Sequence, residues 1–186
     1  MIELTKQHLY SLDAPYVLLA RATESALCNF GWSMALSETS PLVVRFLRGQ
    51  RIRTSRQLFD EFAAALQFPY YFGHNWNAMD ECLIDFQWLP GDGYVICIQD
   101  AHRLLDEETP AGFDTLMRVL QDAAKEWSLP VAIGEWWDRP GKPFHVVLHA
   151  PADGFEKLVR RVEATSISPA VLIGVDSYDR GQAQGT

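Results

Sequence analysis

Cationic side chains are in short supply in this sequence: 16 Lys and Arg stand against 24 Asp and Glu, a formal net charge of −8. Binding to nucleic-acid phosphates depends on clustered Lys and Arg, so the balance argues against that class and favours a basic protein as partner. Cysteine is also scarce. Cys28, Cys82 and Cys97 are an odd number without metal-like spacing, which points to small buried side chains instead of a disulfide framework or a zinc site. No apolar run is long enough to span a membrane, and the first residues, MIELTKQHLY, lack the basic start and apolar stretch of a signal peptide. The expectation is a cytoplasmic protein without a membrane partner.

Catalytic spacing is missing too. Cys82 and His74 are eight positions apart along a loop and a helix, which does not place a base beside a nucleophile. His145 and His149 form an HxxxH, but in a strand they stand about 13 Å apart, too far to share a metal. No catalytic residue, metal ligand or organic cofactor is expected.

What is present is enough apolar material for a core, 48% of 186 residues, which fits one domain with additions. Thr54 and Gln57 have capping-box spacing before Leu58, Phe59, Phe62 and Leu66, so a helix should begin near Ser55 and end at residues 67–69. LVVRFL after Pro41 and YVICI after Gly93 read as strands, the second central because it is nearly all apolar. Phe113, Leu116, Leu120, Ala124 and Trp127 repeat at helical spacing and stop at Leu129 and Pro130. Further elements are a strand at residues 16–20, a helix at 154–164 and a strand at 170–175. Residues 130–143 read as a long ordered loop and 181–186 as a flexible tail. Alternating strands and helices predict an α/β fold, a mainly parallel sheet packed with helices.

The most informative stretch is FPYYFGHNWNAMDECLIDFQW, residues 68–88. Read as a helix starting near Asn75, it puts Trp76, Met79, Leu83 and Phe86 on one core-facing stripe and leaves Asn77, Asp80, Glu81 and Asp85 largely outside it. Glu81 and Asp85 lie too far along to gain from the helix dipole. An acidic face beside Tyr70, Tyr71, Phe72 and Trp76 has the composition of an interface hot spot, although acids alone are also the ordinary make-up of a solvated helix. Phe72 and Trp76 are assigned inward, Tyr71 and His74 outward. Gly73 supplies a positive φ or a close backbone approach, and Asn75 the helix N-cap.

These residues resemble the loop-helix signature of the barstar family, protein inhibitors of barnase-type ribonucleases: an aromatic and Gly, then Asn, then an acid and Ala, later an acid, Cys and Leu. PLVVRFLRGQRIRTSRQLFDEFAAALQF resembles the family's first strand and helix, and GYVICIQDAHRLL, FDTLMRVLQDAAKEW and FHVVLH resemble its later elements. The resemblance covers residues 41–150, with an N-terminal extension at 1–40 packed on the core and a C-terminal helix-strand extension with tail at 151–186. It implies a barstar-like fold with additional terminal elements. It also implies that Tyr71 stands for the loop tyrosine that packs on the nuclease, Glu81 for the helix acid entering its active site, and Asp122 for a further acidic contact. Asn77 stands where the family usually has an acid, Asp80 where its type member has tryptophan, and Glu81 is one methylene longer than the usual aspartate.

The function implied is a non-catalytic inhibitor or immunity protein whose partner-binding residues are Tyr71, His74, Asn77, Asp80, Glu81, Asp85 and Asp122, supported by Phe72, Gly73, Asn75 and Trp76. The partner would be a basic ribonuclease or related toxin. Two alternatives stay open: a scaffold or regulator binding a basic non-nuclease protein, and a small-molecule enzyme using Glu81 or Asp122 as general acid or base.

Overall fold

The computed structural model describes residues 2–3, 6–37, 41–167 and 171–174. In chain order the elements are β1 (Ile2–Glu3), α1 (Lys6–Tyr10), β2 (Val17–Arg21), α2 (Glu24–Ala35), β3 (Val43–Arg48), α3 (Ser55–Leu66) and α4 (Trp76–Asp85). They continue with β4 (Tyr94–Gln99), α5 (Pro110–Ser128), β5 (Phe144–Ala150), α6 (Ala152–Glu163) and β6 (Val171–Gly174). The strands form one six-stranded sheet in the order β1-β6-β2-β5-β4-β3, and every neighbouring pair is parallel. The fold is α/β, a parallel sheet with helices packed against it.

Continuous burial in β4 and β5 requires cover on both faces of the sheet. One face carries Tyr94, Ile96, Ile98, Phe144, Val146 and Leu148, covered by apolar residues of α3, α4, α5 and α6. The opposite face carries Leu18, Val95, Cys97 and Val147, covered by Leu9 of α1 and Leu27, Phe30 and Met34 of α2. Neither α1 nor α2 is anticipated from the sequence. α2 is N-capped by Thr23, whose hydroxyl accepts from Ala26 N, and Gly31 in its middle lets it lie directly on the Phe46 ring.

The second face also contains His145 and His149, both buried on β5. His145 Nε2 is 2.9 Å from the Ser11 carbonyl, and His149 Nε2 is 2.9 Å from that of Ala22. A carbonyl only accepts, so each contact places a proton on Nε2. The two histidines therefore hold separate points of the chain flanking β2, and share no ligand. Burial pushes the His145 imidazole below its ordinary pKa, outweighing its carbonyl contacts, which favour the charged form.

The capping box opens α3 as expected, and Gln67 closes it in the left-handed conformation. The anticipated strands and helix of the two extensions are β2, α6 and β6, and their neighbours in the sheet are now fixed. Residues 181–186 lie outside the described residues. Among the described residues no helix is long and apolar enough to cross a membrane.

Candidate functional site

The site begins where α3 ends. Phe68 and Phe72 pack edge to face at 4.8 Å, and Phe72 N donates to the Pro69 carbonyl. This turn is pinned by the buried ring of Phe72 and the partly buried ring of Phe68, and the two residues at its tip point out. Tyr70 is 101% and Tyr71 65% exposed, with their rings in edge contact at 5.5 Å.

A second set of local bonds fixes the entry to α4. Asn75 Oδ1 accepts from Ala78 N at 3.0 Å, and Asn75 Nδ2 donates to the Gly73 carbonyl, also at 3.0 Å. Of the two roles open to Gly73, the positive φ is taken by its neighbour His74, at 49°. Gly73 is required for close approach: a Cβ there would stand 2.8 Å from Asn75 Nδ2. His74 is exposed, with its ring on Phe72 and its Nδ1 3.2 Å from Asp60 of α3.

Within α4, Met79, Cys82 and Leu83 are buried. Trp76 faces inward but is only partly buried, edge-on to Phe59 at 5.2 Å on the flank of the core. Phe86 is buried but is not helical. It caps α4 in the left-handed conformation, stacked 6.0 Å from Trp127. Trp127 of α5 donates from Nε1 to the Leu83 carbonyl at 2.8 Å and so locks α5 to the last turn of α4.

That lock sets the acids. Asp80 is partly buried beside Asp122 and Glu81; burial, then repulsion from Asp122 and from Glu81, raises its carboxyl above the usual aspartate value. Among the described residues, none of Asp80, Glu81, Asp85 and Asp122 has a cation within 4.0 Å. Asn77 is exposed at the start of the same helix, and Asp85 is half-buried near its end. Glu81 and Asp85 border a cavity of about 210 Å³ with Tyr71, Phe72, Cys82 and Trp88 around it.

Cys82 is buried, and its thiol is pushed up in pKa by burial and then by Asp85 and Glu81. A thiol held protonated is a weak nucleophile. The structure thus brings together Tyr71, Glu81 and Asp85 around the cavity and sets partly buried Asp80 beside exposed Asp122 and Glu81, while His74 is engaged by Asp60. Sequence reasoning had not placed Tyr70 outward or noticed Asp60. Tyr70 follows Pro69 at the tip of a turn, which was the available signal.

No individual curated protein matches this sequence. The family model described as Barstar (barnase inhibitor) matches residues 42–149, more than half of the chain, and this protein therefore belongs to the barstar family.

Proposed function

We propose that this chain is a non-catalytic inhibitor of a ribonuclease-type toxin, an immunity protein that works in the cytoplasm by covering the toxin's active site with α4 and the loop before it. The observation that carries this reading is the convergence of Asp80, Glu81 and Asp122, without cationic partners among the described residues, beside two exposed tyrosines. Repulsion among carboxylates is unfavourable in the free protein and is relieved by an approaching cation. A ribonuclease presents Arg, Lys and His to RNA phosphate, so these carboxylates can occupy the phosphate positions.

Opposite fields raise association to on the order of 10⁸ M⁻¹s⁻¹ at low salt. Tyr70 and Tyr71 supply apolar area with few rotors, and the Asn75 cap and Trp127 lock hold the surface ready before contact. Glu81 is the central contact, with Asp80, Asp122 and Tyr71 around it, His74, Asn77 and Asp85 at the edge, and no metal or cofactor. In this reading residues 41–150 bear the interface, while 1–40 and 151–186 are additions to the family domain.

The test is titration of the purified chain into a panel of barnase-type ribonucleases cleaving a fluorogenic RNA. Loss of hydrolysis at one equivalent for at least one enzyme is expected. Full hydrolysis by every enzyme at excess chain contradicts the proposal. Binding of a basic protein that leaves its activity intact would move the reading to a scaffold or regulator.

A further inference from the structure

Residues 131–139, which follow α5, form a tip closed by backbone bonds between Val131 and Arg139. Asp138 accepts from Ile133 N at 3.0 Å and Gly134 N at 2.9 Å, and Gly134 takes a positive φ of 87° to make the turn. On this braced tip Trp136 is 81% exposed, and its ring meets that of Trp137 at 5.3 Å. Ile133 and Leu129 are exposed beside them in sequence. A braced tip with two outward tryptophans is costly in water and typical of a protein contact.

Two observations say what covers it. The first is continuity with the acidic surface. Arg139 lies 4.2 Å over the ring of Trp127, the same residue that bonds Leu83 of α4. Exposed Asp122 stands six residues before the end of α5, about 9 Å along the axis, and exposed Lys125 and Glu126 lie between. An ordinary contact patch of about 800 Å² per partner is roughly 30 Å across, several times the distance of about 9 Å from Asp122 to the end of α5, where the loop begins.

The second observation is charge. The loop's two cations are turned to its own backbone: Arg139 donates to the Trp127 and Leu129 carbonyls, and Lys142 to Gly91 O. The exposed charges on the tip are Glu135 and Asp138, and the backbone amides of Ile133 and Gly134 hold the Asp138 carboxyl below its usual pKa. An acidic aromatic surface suits a basic protein and disfavours an anionic bilayer.

We propose that Trp136 and Trp137 are a second anchor of the same interface, seated on the same basic ribonuclease that takes the acidic helix. The proposal rests on the function given above. It assigns this protein a contact segment contributed by the loop between α5 and β5 and predicts a partner with an apolar depression adjoining its basic active site.

The test uses the full chain and an inactivated barnase-type ribonuclease, the panel member inhibited most strongly. Parent, Glu81→Ala and the double variant Trp136→Ser with Trp137→Ser are compared by binding kinetics, with melting temperature as a folding control. The double variant should melt with the parent yet bind about tenfold or more weakly, mainly through faster dissociation. If it binds like the parent while Glu81→Ala does not, the loop lies outside the interface and this proposal fails while the proposed function stands. If no ribonuclease binds the parent, both fail. A parent dimer, or parent adsorption to phosphatidylcholine–phosphatidylglycerol vesicles, that the double variant abolishes would give the tryptophans another occupant and overturn the proposal.

Discussion

Replacing Asp80 with Asn should make the free protein more stable and its complex weaker. Asp80 is partly buried and its pKa is raised, first by burial and then by Asp122 and Glu81, so its ionised form is disfavoured on folding. Like-charge neighbours on a helix surface each cost a few tenths of a kcal/mol; two neighbours, discounted for the remaining exposure, give about 0.3–0.8 kcal/mol. Asn removes that cost, which for a chain of this length raises the melting temperature by about 1–3 °C. The sign with pH is definite. Between the unfolded and the raised folded pKa, the native state binds more protons, so the parent loses stability as pH rises through that window. The advantage of Asn is therefore full at pH 7 and absent once both forms of the parent are protonated. Urea unfolding of parent and variant at pH 7 and pH 3 measures it. In complex, loss of a carboxylate facing a cation should cost about 2 kcal/mol or more. An Asn variant that is less stable at pH 7, or whose advantage persists unchanged at pH 3, would refute the reasoning that these carboxylates repel one another.

Four further outcomes are expected. Trp76→Ala should destabilise the fold by about 1.5–2.5 kcal/mol, near half the cost of emptying a fully buried tryptophan site, because the side chain is only partly buried. Tyr71→Ala should leave the melting temperature unchanged and weaken ribonuclease binding, and the reverse pattern between the two would show the loop assigned the wrong way round. Trp127→Phe should cost about 1–3 kcal/mol in urea, since it strands the Leu83 carbonyl while keeping an aromatic ring under Arg139. The unfolded chain takes up a proton below about pH 6.5 that His145 refuses when folded, so its contribution is lost as pH falls through that value. His145→Gln should flatten the slope of stability between pH 7.5 and 5.5, leaving a remainder to His102, whose pKa burial also lowers.

Local signals were the legible ones. Thr54 and Gln57 announce the start of α3 because the bonds of a capping box lie within four consecutive residues. The stripe of α5 is legible because one face of a 19-residue helix is buried. α2 was not legible, since Gly31 breaks its pattern for a reason that lies in β3, the ring of Phe46. Spacing also carried the α4 stripe one residue too far: Phe86 is buried like its predecessors, and only its left-handed φ reveals that the helix has ended. Parallel strands read alike in any order, so the positions of β2 and β6 next to β5 and β1 could not be taken from sequence.

The candidate site divides the same way. The acids of α4 and the Asn75 cap are read within one segment, while the approach of Asp122 to Asp80 depends on how α5 docks on α4. Resemblance supplied Asp122, which periodicity alone does not distinguish from any exposed acid on α5. His74 was placed outward correctly as to exposure, but its contact with Asp60 joins it to α3. The cavity beside Glu81 and Asp85 needed the loop and helix together.

The central claim is tested most directly by the dissociation rate of the Glu81→Ala complex, measured beside Asp85→Ala at two salt concentrations with circular dichroism to confirm folding. The account predicts that Glu81→Ala loses about 2–5 kcal/mol, mainly as faster dissociation, because a cation of the ribonuclease is left buried and unpaired. It predicts that Asp85→Ala mainly slows association and lessens its salt dependence. A folded Glu81→Ala variant that dissociates from the ribonuclease as slowly as the parent would contradict it.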